Sequence, residues 1–368
     1  MDLCRRSFFL NYRHMILFSD RGAPASGASP AGIAWKRLRH RPVSSCRQHG
    51  GEWIAGDHHA DPFGRLILGI LWAWLAVCPC AAADPATALA ARSLLLDAQT
   101  IGSTVIAVGA SGHILRSTDG GATWELAKAP TLATLTGVHF PDAQHGWVVG
   151  HDAVILHSEN GGRTWTKQYQ GEDLQVSFLD VRFLDTQTGF AVGAYGQFLA
   201  TTDGGRSWAQ HRIIEEDYFF NRLSIGPAGT LYIAGEHGTL LRSTDRSLSW
   251  MPIHAPYDGS FYGILPLGPK LLLAYGLRGR IYRSEDDGDN WQLVPNEQRV
   301  LLATAVCLRS GIIVVAGQAR TFLVSRDGGA SFASWSPGLT TGVAELIEAS
   351  DGRLLAVGEA GVTPLPAP

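Results

Sequence analysis

Cysteine is scarce in this chain and poorly placed for cross-linking. Four of the five cysteines (Cys4, Cys46, Cys78 and Cys80) precede residue 84, which leaves Cys307 alone in the remainder. An internal disulfide framework is therefore excluded there, and the hydrophobic core must suffice. Charge is sparse as well: charged residues make up 17% of the 368, and the formal net charge is −3. Without a basic excess, a nucleic-acid surface is not expected. Long apolar runs are nearly missing, the exception being Leu66–Val77. As a helix that run would rise only about 18 Å, so a polytopic membrane protein is excluded. Histidines show no H-x-x-x-H spacing and cysteines no metal-binding pairs, so neither a metal nor a cofactor is expected.

The front of the chain differs in kind from the rest. Residues 1–63 carry nine basic residues against five acids and show no sustained period, which marks a non-repeat extension, disordered or preceding the true start. Residues 64–83 hold Arg65, the apolar run and Ala81-Ala82-Ala83 before Asp84-Pro85, the three parts of a secretory signal peptide. Left uncleaved, the same run would be a membrane anchor. The expected location is outside the cytoplasm, in a periplasm. Residues 84–368 keep 20 Lys and Arg against 28 Asp and Glu, a net charge of −8 that repels phosphate backbones and anionic lipid.

What is abundant is glycine, and it recurs with a period. A strand ending in glycine appears seven times, at Gly109, Gly150, Gly193, Gly235, Gly276, Gly317 and Gly358, with spacings of 41 to 43 residues. After each of the first six comes Ser/Thr-x-Asp-x-Gly-x-x-Trp, an Asp box. Its acidic position is Asp119, Asn160, Asp203, Asp245, Asp286 and Asp327, and its aromatic position is Trp124, Trp165, Trp208, Trp250, Trp291 and Phe332. The side-chain oxygen accepts backbone N–H bonds in an Asx-type turn, glycine takes the left-handed conformation, and the ring buries itself between strands. Ser247 replaces that glycine in the fourth box and should strain it by about 1 kcal/mol. Six copies of one turn are structural clips, so no catalytic residue is assigned.

Four short strands per unit, repeated radially, predict an all-β fold: a seven-bladed β-propeller with six Asp-box hairpins over 84–368. In the second unit the strands fall near Leu135–Phe140, Trp147–Gly150, Val154–His157 and Thr164–Gln168. The seventh unit lacks a box and a fourth strand, and Asp84–Arg92 is expected to supply that strand and close the ring.

The pattern Phe-x-Asp…Gly-Trp/Phe-x-Val-Gly, clearest in Phe140-Pro141-Asp142…Gly146-Trp147 and Phe183-Leu184-Asp185…Gly189-Phe190, resembles the Ycf48/Hcf136 family of photosystem II assembly factors. The resemblance covers residues 93–362. It implies an exported, non-catalytic scaffold that holds an unassembled membrane-protein subunit or envelope complex, in a thylakoid lumen where the host is photosynthetic.

A partner site is expected where second-to-third-strand loops and inter-blade loops share a face opposite the boxes. Arg278, Arg280, Arg299 and Arg320 form a basic patch there, joined by Tyr218, Phe219, Tyr257, Phe261 and Tyr262, an anchor composition suited to a protein partner. The chain is expected to act as a monomer. One alternative is a sialidase-like Asp-box glycoside hydrolase drawing on Arg182, Arg222, Asp180, Asp185, Glu215, Glu216 and Asp217. Another is an accessory protein of an envelope exporter. Asp286-Asp287-Gly288-Asp289-Asn290 looks like a calcium loop but lacks the bidentate Glu. Cys307 is expected to be a buried filler.

Overall fold

The structure, a computed structural model, describes residues 84–368. The extension over 1–63 and the signal over 64–83 lie outside the described residues. Within them the strands form seven antiparallel sheets, six of four strands and one of three. Each four-stranded sheet follows chain order outward from its first strand. The first strands are Leu95–Ile101, Leu135–His139, Phe178–Phe183, Phe220–Ile225, Phe261–Pro266, Leu302–Cys307 and Val343–Glu348. Each packs on the next, and the last packs on the first, which closes a seven-bladed β-propeller.

The glycine-ended strands explain themselves at close range. In every blade the first strand carries a bulge opposite the end of the second, as between Leu95 and Asp97 opposite Gly109. The bulge brings a carbonyl onto the glycine: a Cβ would lie 2.3 Å from the Leu94 oxygen at Gly109 and 2.0 Å from the Leu301 oxygen at Gly317. Any side chain there would break the sheet, so the repeat is written in glycine.

The Phe-x-Asp…Gly signature has an equally local cause. Gly146 lies beneath the ring of Phe140, where a Cβ would come within 2.1 Å, and Gly189 lies likewise beneath Phe183 at 2.4 Å. Each phenyl ring also meets the box tryptophan of its own blade edge-on, Phe140 with Trp165 and Phe183 with Trp208, both at 5.8 Å. Asp142 Oδ1 accepts the Gln144 and His145 N–H groups and Asp185 Oδ1 those of Gln187 and Thr188, which sets the tight turn between first and second strands.

The core is divided by the ring. Among the described residues there are seven apolar clusters, centred on the seams between neighbouring blades: Ile106, Val108 and Ile114 of blade 1 meet Leu135, Val138 and Val148 of blade 2, and the cluster of blades 5 and 6 also takes in Leu96 and Ala344. The cluster of blades 7 and 1 joins Leu355 and Val357 to Val105 and Leu115.

Closure departs from expectation. Asp84–Arg92 adds no strand; Pro85–Ala90 is a short α-helix, as its alanines and a proline at the first turn favour. Blade 7 keeps three strands, ending in Gly361–Leu365. The helix end lies against it, with Val362 N–H donating to the Ala91 carbonyl at 3.3 Å. Cys307 also differs from expectation: it sits at the exposed end of its strand, outside the core.

Candidate functional site: a box face, an axial charge cluster and a recognition face

The six boxes share one geometry. The Asp119 Oδ1 accepts the Thr123 N–H at 2.8 Å, and Asp203, Asp245, Asp286 and Asp327 each accept the N–H four residues on at 2.8 to 3.0 Å. Asn160 does the same through its amide oxygen to Thr164 at 3.0 Å. The bond thus spans four residues, longer than the two of a simple Asx turn. The box hydroxyl, Ser117 in blade 1, donates to the carboxylate and accepts the Gly121 N–H. Donors from the fourth residue, side chain and backbone, hold Asp203, Asp245 and Asp286 down to about 2, and Asp119 and Asp327 lower still. In the fourth box Arg246 and Ser247 both take positive φ, 59° and 74°, the strain expected from the missing glycine. The calcium-like loop spends its carboxylates on protein: Asp286 on Ser284 and Asn290, Asp287 and Asp289 on Arg242.

The boxes also serve as sockets between blades, a role the motif alone does not reveal. Arg116 of blade 1 donates to the Gly161 carbonyl in the box of blade 2, and Gln168 of blade 2 to Gly204 in that of blade 3. Arg242 of blade 4 bonds Asp287 of blade 5, and Arg283 of blade 5 bonds Gly328 of blade 6. Arg353 of blade 7 returns to the Gly120 carbonyl in the box of blade 1 at 3.1 Å. The remaining seams are joined by Arg246 with Asp185, between blades 4 and 3, and by Arg309 with Ser350, between blades 6 and 7. Arginine directly before the box serine in units 1, 4 and 5 was the available signal.

Around the axis, equivalent bulge positions bring Asp97, Asp180, Arg222, Thr304 and Glu345 together. Arg222 pairs with Glu345 across the ring and stands 3.8 Å from Asp97; Asp180 is 3.0 Å from Arg182. Burial works against the Arg222 charge, but Glu345, Tyr275, Asp180 and Asp97 more than restore it and raise its pKa. Asp97 accepts the Val138 N–H and Asp180 the Leu223 N–H, each from the next blade. Three hydrolase candidates therefore converge here, yet Asp180 is 0% exposed and both its oxygens accept backbone N–H groups. The other candidates, Glu215, Glu216 and Asp217, stand exposed on a loop, and Asp185 pairs with Arg246.

The opposite face carries the loops proposed for partner contact. Second-to-third-strand turns touch inter-blade loops there: Gly196 N–H donates to Tyr218, Gly279 to Val300 and Gln318 to Leu301. These bonds place the Arg278, Arg299 and Arg320 loops side by side. Arg278, Arg299 and Arg320 are exposed and Arg280 half-buried, its Nε without a hydrogen-bond partner. Burial pushes the Tyr257 hydroxyl up, opposed by the nearby Arg278 and Arg280. Tyr218 and Phe219 belong to the blade 3–4 side, where they meet His237 and Tyr195. Phe261 and Tyr262 are corrections to the expected patch: at 0% and 8% exposed they are core residues, because their strand is the buried first strand of blade 5.

At the tips of these turns, residues other than glycine hold left-handed backbone: Ser111, Asp152, Tyr195, His237, Arg278 and Ala319, with φ between 50° and 58°. The position costs about 1 kcal/mol or more each time, and it recurs at the same turn in six blades.

These features define an Asp-box β-propeller of seven blades with one stapled face and one loop-bearing face. The chain belongs to the family of the photosynthesis system II assembly factor YCF48, which matches residues 87–174 and 168–361. The photosystem II assembly protein Ycf48 of Thermosynechococcus vestitus is 43% identical over 42 residues, 11% of this chain and 12% of that protein. The chloroplastic photosystem II stability/assembly factor HCF136 of Cyanidioschyzon merolae is 34% identical over 80 residues, 20% of this chain and 18% of that protein. Those curated relatives are thus matched over less than a fifth of their length. Among solved structures, YCF48 bound to a D1 peptide superposes with a TM-score of 0.63 at 20% identity, covering 75% of this chain and 92% of that one. YCF48 from Cyanidioschyzon merolae gives 0.62 at 18% identity, covering 74% and 95%.

Proposed function

We propose that this protein is an exported, non-catalytic scaffold that holds a segment of a membrane-protein subunit or envelope complex, gripping it on the arginine sector of blades 5 and 6. The observation that carries this reading is the charge of that sector. Arg278, Arg280, Arg299 and Arg320 gather on adjoining loops of a domain with net charge −8, and none engages a carboxylate in an ion pair among the described residues. Exposed guanidinium groups beside Tyr257 suit a partner that presents carboxylates, through paired N–H donors. The solved YCF48 complex with a D1 peptide supports the same mode of action for a relative of this fold. A scaffold also fits the axial carboxylates, which are spent on backbone N–H groups of neighbouring blades.

The test is capture of membrane-protein partners from the native envelope by the full chain and by Arg278→Glu/Arg280→Glu. Loss of capture with unchanged melting temperature supports the sector. Undiminished capture removes it. Turnover of fluorogenic sialosides or glucans that a single carboxylate substitution abolishes would overturn the scaffold reading altogether.

A further inference from the structure

We infer that the loop-bearing face has a second docking site: an acidic groove over blades 2 to 4 that takes an extended, lysine- or arginine-bearing segment of a partner protein. The inference rests on the scaffold reading but uses none of the arginine sector.

Two hollows of about 550 Å³ each lie side by side on this face. Both are lined by Gln197 and Gln210, whose amides are bonded to each other at 3.0 Å, so the two hollows adjoin at this pair. The blade 2 hollow has an apolar floor of Ala153, Val176 and Phe178 with Glu172 and Asp173 at its lining. The blade 3–4 hollow is walled by Tyr195, with Glu216 and Asp217 lining it. Arg212 is the one arginine in either lining, and it is already engaged by Glu215 and Asp217 at 3.8 and 3.4 Å. The groove therefore keeps a surplus of carboxylate.

Tyr195 identifies the groove as a recognition surface. It is 56% exposed, at the turn tip that takes left-handed backbone in six blades and carries a tyrosine only here. Its ring is braced edge-on by Phe219 at 4.9 Å. A braced, exposed tyrosine sharing its hollow with Glu216 and Asp217 is a seat for an ammonium or guanidinium group through cation–π attraction. Two hollows in series, with acids at both ends, match the alternate side chains of an extended segment better than a helix or a compact ligand. Carboxylate complementarity selects basic side chains, and the arginine sector of the same face would repel them, so the two sites sort a partner by charge and fix its direction.

The experiment uses the full chain and a fluorescein-labelled peptide of alternating lysine and serine, with a glutamate-for-lysine counterpart, read by fluorescence anisotropy. The lysine peptide should bind the wild type with strong salt dependence. Glu172→Lys/Asp173→Lys should weaken it more than about tenfold. Tyr195→Gly, which relieves the left-handed backbone while removing the ring, should weaken it several-fold without lowering the melting temperature. The charge-matched control Glu159→Lys/Glu285→Lys, on the box face, should leave binding within about twofold of wild type, since distant exposed charges are screened. Equal loss in the control and the groove variant, or no loss in either, overturns the groove. The scaffold reading is scored separately, by the glutamate peptide and by partner capture with Arg278→Glu/Arg280→Glu, so the two can fail independently.

Discussion

Arg222 of blade 4 reaches across the ring axis to the carboxylate of Glu345 in blade 7, a partner 123 residues away. Both side chains are more than nine-tenths buried, and the Thr304 hydroxyl of blade 6 donates to the other Glu345 oxygen at 2.6 Å. Blades far apart in the chain are thereby tied at the centre.

Replacing Arg222 by Met should be among the most damaging single changes in the domain. It removes the buried cation shared by Asp97 and Glu345, at a cost of about 3–5 kcal/mol. Arg222→Met/Glu345→Leu should recover part of that loss. Denaturant unfolding of the three proteins checks the order.

Gly146→Ala should destabilise blade 2 by about 1–3 kcal/mol, because the new methyl enters the Phe140 ring and the core cannot yield freely. Pairing it with Phe140→Leu should cost less than the sum of the single changes, since the smaller side chain makes room. Thermal unfolding of the cycle provides the measurement.

Arg353→Ala should loosen the seam between blades 7 and 1 alone. The residue bonds the Gly120 carbonyl and is fixed by Asp351 at 2.6 Å. Hydrogen exchange should rise in Glu125–Ala127 and Gly361–Leu365, and remain unchanged in Leu231–Gly235 of blade 4.

Acid should act in two windows. His139 is half-buried at the end of its strand, and desolvation there, aided by the nearby Arg182, depresses its pKa well below the ordinary 6.5. The unfolded chain then binds the proton first, so stability present above pH 6.5 falls as pH drops below it. His139→Gln should flatten this slope, leaving the smaller share of His113 and His157, which burial also depresses. In the second window the box carboxylates, ordinarily near 3.8 and here about 2, contribute stability that is present above 3.8 and lost as pH falls through about 2. Melting temperatures from pH 8 to pH 2 test both.

Much of the fold was legible because its repeat is local. A glycine every forty-odd residues and a six-fold Asp box report contacts made within one blade, a bulge carbonyl on the glycine and an N–H on the carboxylate. The seventh blade was legible by its Gly358 alone. The closing segment was misread as a strand because its position suggested pairing, while its alanines and Pro85 obeyed helix preference. Phe261 and Tyr262 were placed on a loop because the inter-blade linker runs into them without a break; only the register of the first strand assigns them to the core.

By itself the sequence determined blade number, hairpin chemistry and charge, since each follows from residues close along the chain. Tertiary structure alone decided which side chains meet across the ring. Arg222 and Glu345 share no motif, and neither do Tyr195, Glu172 and Asp217. They are brought together only when seven sheets turn about one axis and place equivalent positions on a common face or at a common centre.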